Sequence, residues 1–192
     1  NGKIVKSNIF KKVFVTPASG DDGCAIGACF LAHKRNKKNL LPKKEYNFYK
    51  GSRFSSSIVK SIIKQKKAKF TKPKNINVTV AKFLSEGKIV AWFQDGAEFG
   101  PRALGNRSIL CKPYPKEMKD YLNSRVKFRE EFRPFAPAVL ERHQRDFFNL
   151  EQASPHMLIA CNVKKIKKEI IPAVVHIDDT CRVQTVNKKF NK

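Results

Sequence analysis

Seven short apolar runs, each bounded by turn-forming or basic residues, constrain the fold of this chain more than any other feature of its sequence. Runs of this length and composition are typical of strands and are too short for most helices. No run approaches the ~18 apolar residues of a transmembrane helix, so the sequence predicts no membrane span. The predicted strands are 13–16 (VFVT), 88–94 (KIVAWFQ), 108–111 (SILC), 135–140 (FAPAVL), 157–163 (MLIACNV), 173–177 (AVVHI) and 181–186 (CRVQTV).

Segments with helical periodicity lie between these runs. Ser55–Ser57 can cap one helix, and Asn75 or Asn77 can cap a second helix that Gly87 ends. Strands that alternate with helices favour an α/β or mixed α+β sheet domain. Three more helices are predicted: a buried one at 24–32, one at 115–126 with Pro115 at its first position, and one at 141–148.

The charge of the chain is high and unevenly distributed. The formal net charge is +24, and residues 34–74 hold fifteen lysines or arginines and one acid, Glu45. Such a surplus implies partners that carry phosphate or carboxylate. Lysine outnumbers arginine thirty to ten, yet five of the ten arginines lie within residues 102–133. Because a guanidinium binds phosphate bidentately and an ammonium does not, this clustering indicates a geometric requirement.

The cysteines and histidines suggest neither a disulfide framework nor a metal site. The five cysteines are scattered without a Cys-x-x-Cys pair, and the four histidines lack the spacing of metal ligands. This pattern predicts reduced thiols in a cytoplasmic protein.

The segment 98–110, EFGPRALGNRSIL, is the first candidate site. Gly100 and Gly105 allow sharp turns and close approach to a ligand, and Pro101 stiffens the entry. Arg102 would then be presented to an anion from a constrained loop. A glycine-bearing turn whose arginines make surface ion pairs explains the pattern equally well.

A second basic cluster lies at 126–137, VKFREEFRPFAP. Lys127 and Arg129 are two residues apart and would face the same side of an extended segment, with Arg133 just before a proline. With Arg102 nearby, these side chains would form a cradle for several phosphate groups. The alternative is a solvated basic face that neighbouring acids partly balance.

Two weaker features complete the candidates. Asp21 and Asp22 lie on a turn before a predicted helix and could bind a metal, although turn aspartates more often cap the helix. Arg182 lies on a predicted strand, where an arginine often indicates a sheet edge or a site.

Taken together, these segments resemble the carboxy-terminal part of the O-carbamoyltransferases of the nodulation and antibiotic-tailoring type. The resemblance covers most of the chain and leaves out chiefly residues 34–74. GPRALGNRSIL followed by KFREEFRPFAP is its most specific part. The matching segments are, in order, FVTPASGDDGCAIGA, VAKFLSEGKIVAWFQDGAEFGPRALGNRSIL, LNSRVKFREEFRPFAPAVL and IPAVVHIDDTCRVQTV.

The resemblance implies an actin-like, metal-containing domain joined to a YrdC-like domain, a twisted mixed sheet flanked by helices. The YrdC-like part would activate carbamoyl phosphate with ATP and Mg²⁺ to a carbamoyl-adenylate. The actin-like part would pass the carbamoyl group to a hydroxyl of a small-molecule or saccharide acceptor. Asp22, or else Asp21, matches an aspartate of the family's iron or zinc site. The family positions that bind carbamoyl phosphate and the ATP phosphates correspond to Arg102, Lys127, Arg133 and Arg182, and Arg129 completes a Lys-x-Arg pattern.

The same resemblance implies the domain organisation. We expect 1–34 to be the tail of the actin-like domain, 35–74 a basic linker with a helix, and 75–192 a YrdC-like domain that is incomplete at its end. The sequence lacks the family's metal-binding histidine pair, so we expect part of a longer protein that does not complete carbamoyl transfer alone.

The competing function is double-stranded RNA binding by a YrdC-like module. It would use the lysines of 34–74 and weaken steeply with added salt. Carbamoyl activation would instead depend on Arg102 and Lys127. The expected partners are therefore carbamoyl phosphate, ATP and the acceptor, and neither a membrane nor nucleic acid is favoured.

Overall fold

The helices begin where the sequence supplies caps. The computed structural model describes residues 1–37 and 48–188. In that part of the chain the Ser55 hydroxyl oxygen accepts a hydrogen bond from the Ile58 backbone N–H. The Asn75 side-chain oxygen accepts one from the Val78 backbone N–H, so both predicted caps are confirmed. The α-helices are α1 (Gly2–Lys6), α2 (Asp21–Lys37), α3 (Ser56–Gln65), α4 (Ile76–Ser85), α5 (Met118–Leu122) and α6 (Gln144–Phe147).

The strands pair two by two. β1 runs antiparallel to β2, β3 runs parallel to β6, and β4 runs antiparallel to β5 with Cys161 opposite Cys181. A π-helical turn, Asn123–Lys127, continues α5, and a 3₁₀ turn, Glu141–His143, precedes α6. The strands are β1 (Val90–Phe93), β2 (Arg107–Leu110), β3 (Ala138–Leu140), β4 (Ala160–Asn162), β5 (Thr180–Arg182) and β6 (Gln184–Val186).

The described residues divide into two compact units. The first comprises 1–37, Gly100–Leu104 and 113–188, and the second comprises Phe48–Phe99 and Gly105–Lys112. The first unit holds the main core, which consists of apolar side chains from β4, β5 and the segments around them. This core is formed by Phe148, Leu150, Ile159, Cys161, Val163, Ile171, Val174, Cys181 and Val183.

The mixed α/β class predicted from the sequence is confirmed. The strands of the described residues form three two-stranded sheets rather than one continuous sheet. Among residues 1–37 and 48–188, no helix combines the length and hydropathy needed to cross a membrane.

Two predicted strands are wrong. Residues 13–16 form no strand, because side chains bind the backbone there: the Val13 N–H donates to Gln152 Oε1 at 2.9 Å, and Gln152 Nε2 donates to the Val13 carbonyl at 2.7 Å. Residues 173–177 also form no strand, because Pro172 opens a 3₁₀ turn, Pro172–Val174.

Two predicted helices differ in detail. The helix at 24–32 exists as part of α2, but it is largely exposed rather than buried, and both of its cysteines are exposed. Pro115 is not the first helical residue: it follows a cis peptide bond and α5 begins at Met118.

Candidate functional site

A short loop, residues 100–104, presents Arg102 and is fastened at both ends. Gly100 has φ +127°, and a Cβ there would lie 2.5 Å from the Pro17 carbonyl oxygen, so only glycine fits. At the other end the Leu104 side chain is buried, and its carbonyl accepts a hydrogen bond from the buried Gln184 Nε2 at 2.9 Å. Arg102 thus lies between two anchored residues, in a constrained loop of the kind expected from the sequence.

Arg182 ends β5 beside this loop. It is half-buried, next to the fully buried Cys181 and Val183. Burial lowers the pKa of the Arg182 guanidinium, and the positive charge of Arg102 lowers it further. The two predicted phosphate ligands therefore lie close enough to repel each other, and a bound anion would relieve that repulsion.

Unpaired polar atoms mark the same place. Three buried side-chain nitrogens have no hydrogen-bond partner among residues 1–37 and 48–188: Arg102 Nε, Arg182 Nε and His176 Nε2. Buried polar atoms without partners are rare in native structures, and each one needs an explanation. His176 and Arg182 also interact electrostatically, so the three orphan atoms belong to one cluster.

His176 is a member of this cluster that the sequence did not reveal. Its ring is half-buried, and its Nδ1 lies 3.3 Å from the Thr180 hydroxyl oxygen. The signal was present in HIDDTCR, where the histidine precedes Arg182 by six positions, but a histidine in an apolar run does not indicate that it lies near an arginine.

Two predicted residues of the 126–137 segment, Arg129 and Arg133, line an open depression. Arg129 Nε donates to Asn123 Oδ1 at 2.8 Å, and its guanidinium lies 4.7 Å over the Phe135 ring. Arg133 Nε pairs with Glu130 at 2.8 Å, while Lys127 is exposed. The side chains lining the depression are Ser124, Phe128, Arg129, Glu130 and Arg133, so it includes neither Arg102 nor Arg182.

Phe135 links the two groups of cations. The Arg129 guanidinium lies over the Phe135 ring. The Phe135 backbone carbonyl stabilises the protonated His176 ring. The structure thus brings Arg102 and Arg182 together, whereas Arg129 contacts Phe135 and Arg133 is paired with Glu130.

Asp22 does not form a metal site with the side chains around it. It lies exposed in the first turn of α2. Within the described part of the chain, no three His, Cys, Asp or Glu side chains converge in a way that could hold a metal ion. Asp22 could therefore supply one ligand of a metal centre, but the described residues do not supply a complete set.

Arg107, the second arginine of the 98–110 segment, uses its guanidinium to donate hydrogen bonds to the protein backbone. Its Nη1 donates to the carbonyls of Gln94 and Asn106 at 2.6 and 2.8 Å, and its Nη2 donates to those of Ser52 and Asp95 at 2.9 and 3.0 Å. Its guanidinium also lies 3.6 Å over the Phe93 ring. From the sequence, anion binding is predicted for Arg102 and no role is predicted for Arg107.

An anchored loop and two neighbouring arginines, each with a buried Nε that has no partner among the described residues, form the candidate site. A family model identifies the class further: residues 81–192 match the model described as "Carbamoyltransferase C-terminus". The chain belongs to the carbamoyltransferase family, as the resemblance of its motifs predicted.

The relatives agree with this assignment. The chain is 36% identical over 198 residues to nodulation protein NolNO of Sinorhizobium fredii (strain NBRC 101917 / NGR234), covering 100% of this chain and 29% of the relative. It is 35% identical over 197 residues to nodulation protein NolO of Bradyrhizobium diazoefficiens, with 100% of this chain and 36% of the relative covered. It is also 36% identical over 188 residues to nodulation protein U of Rhizobium tropici, with 98% and 31% covered. The chain thus spans about a third of the length of these relatives.

Proposed function

We propose that this chain is the part of an ATP-dependent O-carbamoyltransferase that binds carbamoyl phosphate and ATP and forms a carbamoyl-adenylate. The acceptor would be the hydroxyl of a small molecule or saccharide, bound elsewhere in the whole protein. The observation that carries the proposal is the pair of half-buried arginines, Arg102 and Arg182, each with an Nε that lacks a partner in the described structure.

The chemistry requires such a pair. Carbamoyl phosphate and ATP are both polyanions, so fixed cations must offset their repulsion before they can react. Arg102 lies on an anchored loop and Arg182 on a strand, so neither has to be ordered when the anion arrives. Guanidinium groups match phosphate oxygens two at a time, which explains why arginine rather than lysine is used here.

The other predicted ligands extend this proposal. Arg129 and Arg133 line a neighbouring depression that would receive further phosphates, and Lys127 is exposed on the same segment. Because Arg133 is paired with Glu130, it would have to exchange that carboxylate for a phosphate. Mg²⁺ would accompany ATP and neutralise part of its charge.

Fold, domains, metal and location complete the proposal. Residues 75–192 would be a YrdC-like domain, 1–34 the tail of an actin-like domain and 35–74 a basic linker. Asp22 would contribute one ligand to an iron or zinc centre whose remaining ligands lie outside the described residues. The protein would be cytoplasmic.

Calorimetric titration of carbamoyl phosphate, and separately of ATP, into the chain tests the proposal. The variants are Arg102→Ala and Arg182→Ala, and the control is Arg35→Ala, which removes an equal charge from an exposed position on α2. We expect saturable binding to the wild type and to the control, and affinities at least tenfold lower in both site variants.

Two results would overturn the proposal. One is equal affinity of the wild type and the site variants for carbamoyl phosphate. The other is the absence of carbamoyl phosphate and ATP binding combined with tight, strongly salt-dependent binding of duplex RNA, which would instead assign the chain to the nucleic-acid-binding class.

A further inference from the structure

We propose that His176 is a third ligand of the anion bound by Arg102 and Arg182 and that its imidazole takes up a proton when the anion binds. This inference rests on the function proposed above and assigns a proton-accepting residue to that same site.

The turn that carries His176 fixes the position of the ring. The His176 backbone N–H donates to the Thr180 carbonyl at 2.8 Å, and the Asp179 N–H donates back to the His176 carbonyl at 3.0 Å. The turn leads directly into β5, which ends at Arg182. These backbone bonds fix the turn ahead of β5 without a ligand, and the His176 ring interacts electrostatically with Arg182.

Hydrogen bonding on one side of the ring determines the tautomer. The Thr180 hydroxyl donates to Asp178 Oδ1 at 2.7 Å, so its oxygen is left to accept a hydrogen bond. His176 Nδ1 lies 3.3 Å from that oxygen and is the available donor. A neutral ring that donates from Nδ1 to this oxygen keeps its lone pair on Nε2.

The opposite side of the ring lacks a partner. His176 Nε2 is buried and, in the described part of the chain, makes no hydrogen bond, a property it shares with Arg102 Nε and Arg182 Nε. A protonated Nε2 would add a third donor to those of the two arginines. An anion carrying two negative charges or more is the ligand that such a set of donors fits.

The surroundings of His176 are balanced so that an anion can shift its protonation. Burial lowers the pKa of His176, and the charge of Arg182 lowers it further, whereas Asp178 and the Phe135 carbonyl raise it. Of the other charges nearby, Asp179 is paired with Lys168 at 2.6 Å, and Arg129 lies over the Phe135 ring. An anion that neutralises Arg102 and Arg182 removes the repulsion and leaves the favourable contacts of the protonated ring in place.

NMR titration of the histidine rings tests this inference directly. The chain has four histidines, and His176→Gln identifies the resonance of interest. Sulfate is the probe because it does not itself titrate near neutral pH. We expect saturating sulfate to raise the titration midpoint of His176 by about one pH unit, which by linkage is tenfold tighter binding to the protonated form.

Internal controls separate this effect from general changes. His156 is buried and also has a lowered pKa, but its ring contacts the Val15 carbonyl, so sulfate should leave its midpoint unchanged. In His176→Gln, sulfate affinity should lose its dependence on pH and equal that of the wild type at high pH. A merely structural histidine would not produce this pattern.

Each possible outcome has a distinct meaning. Saturable sulfate binding that shifts the amides of residues 100–104 and 180–184 but leaves the His176 midpoint unchanged would overturn this inference and leave the proposed function intact. If neither sulfate nor carbamoyl phosphate binds, the proposed function fails and the inference fails with it. A raised midpoint that Arg182→Ala abolishes would support both.

Discussion

Arg102 and Arg107 belong to the same segment, EFGPRALGNRSIL, and lie on either side of Gly105 in the sequence. In the structure Arg107 donates to four backbone carbonyls and stacks on Phe93. Arg102 keeps a buried Nε without a partner in the described residues and lies beside a second cation, Arg182.

A structural arginine differs from a ligand-binding one in the number of hydrogen-bond acceptors that the protein places around it. Where carbonyls surround a guanidinium, its donors are used and its charge stabilises the turn. Where the protein provides another cation instead of acceptors, the donors remain available for an anion. Sequence spacing does not distinguish the two cases.

The largest effect should come from removing the structural arginine. Arg107→Ala leaves the carbonyls of Gln94, Asn106, Ser52 and Asp95 without their donor and removes the contact with Phe93. We expect the free energy of unfolding to fall by about 3 kcal/mol. Urea denaturation measures it, and an unchanged midpoint would show that Arg107 is not structural.

Removing the ligand-binding arginine should have the opposite signature. Arg102→Ala should lower the affinity for carbamoyl phosphate by about 30-fold, equivalent to roughly 2 kcal/mol. It should not reduce the free energy of unfolding, because it eliminates an unpaired buried nitrogen and the repulsion of Arg182. A loss of stability as large as that of Arg107→Ala would remove the distinction between the two arginines.

A smaller effect should follow from loosening the loop that presents Arg102. Gln184→Met keeps the volume of the side chain but lacks the N–H that donates to the buried Leu104 carbonyl. We expect a loss of about 1–2 kcal/mol in unfolding free energy and a several-fold weaker affinity for carbamoyl phosphate. Calorimetry and urea denaturation check the two parts, and full affinity in a folded variant would show that this anchor does not position Arg102.

The smallest effect should be a dependence of stability on pH that is confined to the unit containing Arg102. The pKa values of His156 and His176 are lowered in the folded chain, mainly by burial. The unfolded chain therefore binds more protons near the ordinary histidine pKa, so their contribution to stability is complete above that value and is lost as the pH falls below it.

Hydrogen exchange corrected for intrinsic rates can locate this effect. The unit with Arg107 comprises Phe48–Phe99 and Gly105–Lys112 and contains no histidine. Acidification should thus reduce protection around residues 156 and 176 and leave β1 and β2 as they were. Equal loss of protection in both units would contradict this account.

Much of the local structure could be predicted because single residues determine it. Ser55 and Asn75 cap their helices as the sequence indicates, and Gly87, with φ +83°, follows the end of α4. Gly100 also has the positive φ that a constrained loop requires.

The failures arose where distant residues decide the outcome. Residues 13–16 have strand composition, but the side chain of Gln152, 139 residues away, takes the place of a partner strand. The small and apolar residues of 24–32 suggested burial, yet this part of α2 is largely exposed. His176 lies near Arg182 because its turn leads directly into β5. No local sequence pattern predicts that turn.

The most direct test of the central claim compares Arg102→Lys with Arg107→Lys in their affinity for carbamoyl phosphate, at a temperature where both variants are folded. Lysine preserves the charge and removes the planar fork, so only a guanidinium that contacts the ligand should matter. We predict at least tenfold weaker binding for Arg102→Lys and a change within about twofold for Arg107→Lys. Equal affinities, or a greater loss for Arg107→Lys, would contradict the assignment of Arg102 to the anion site.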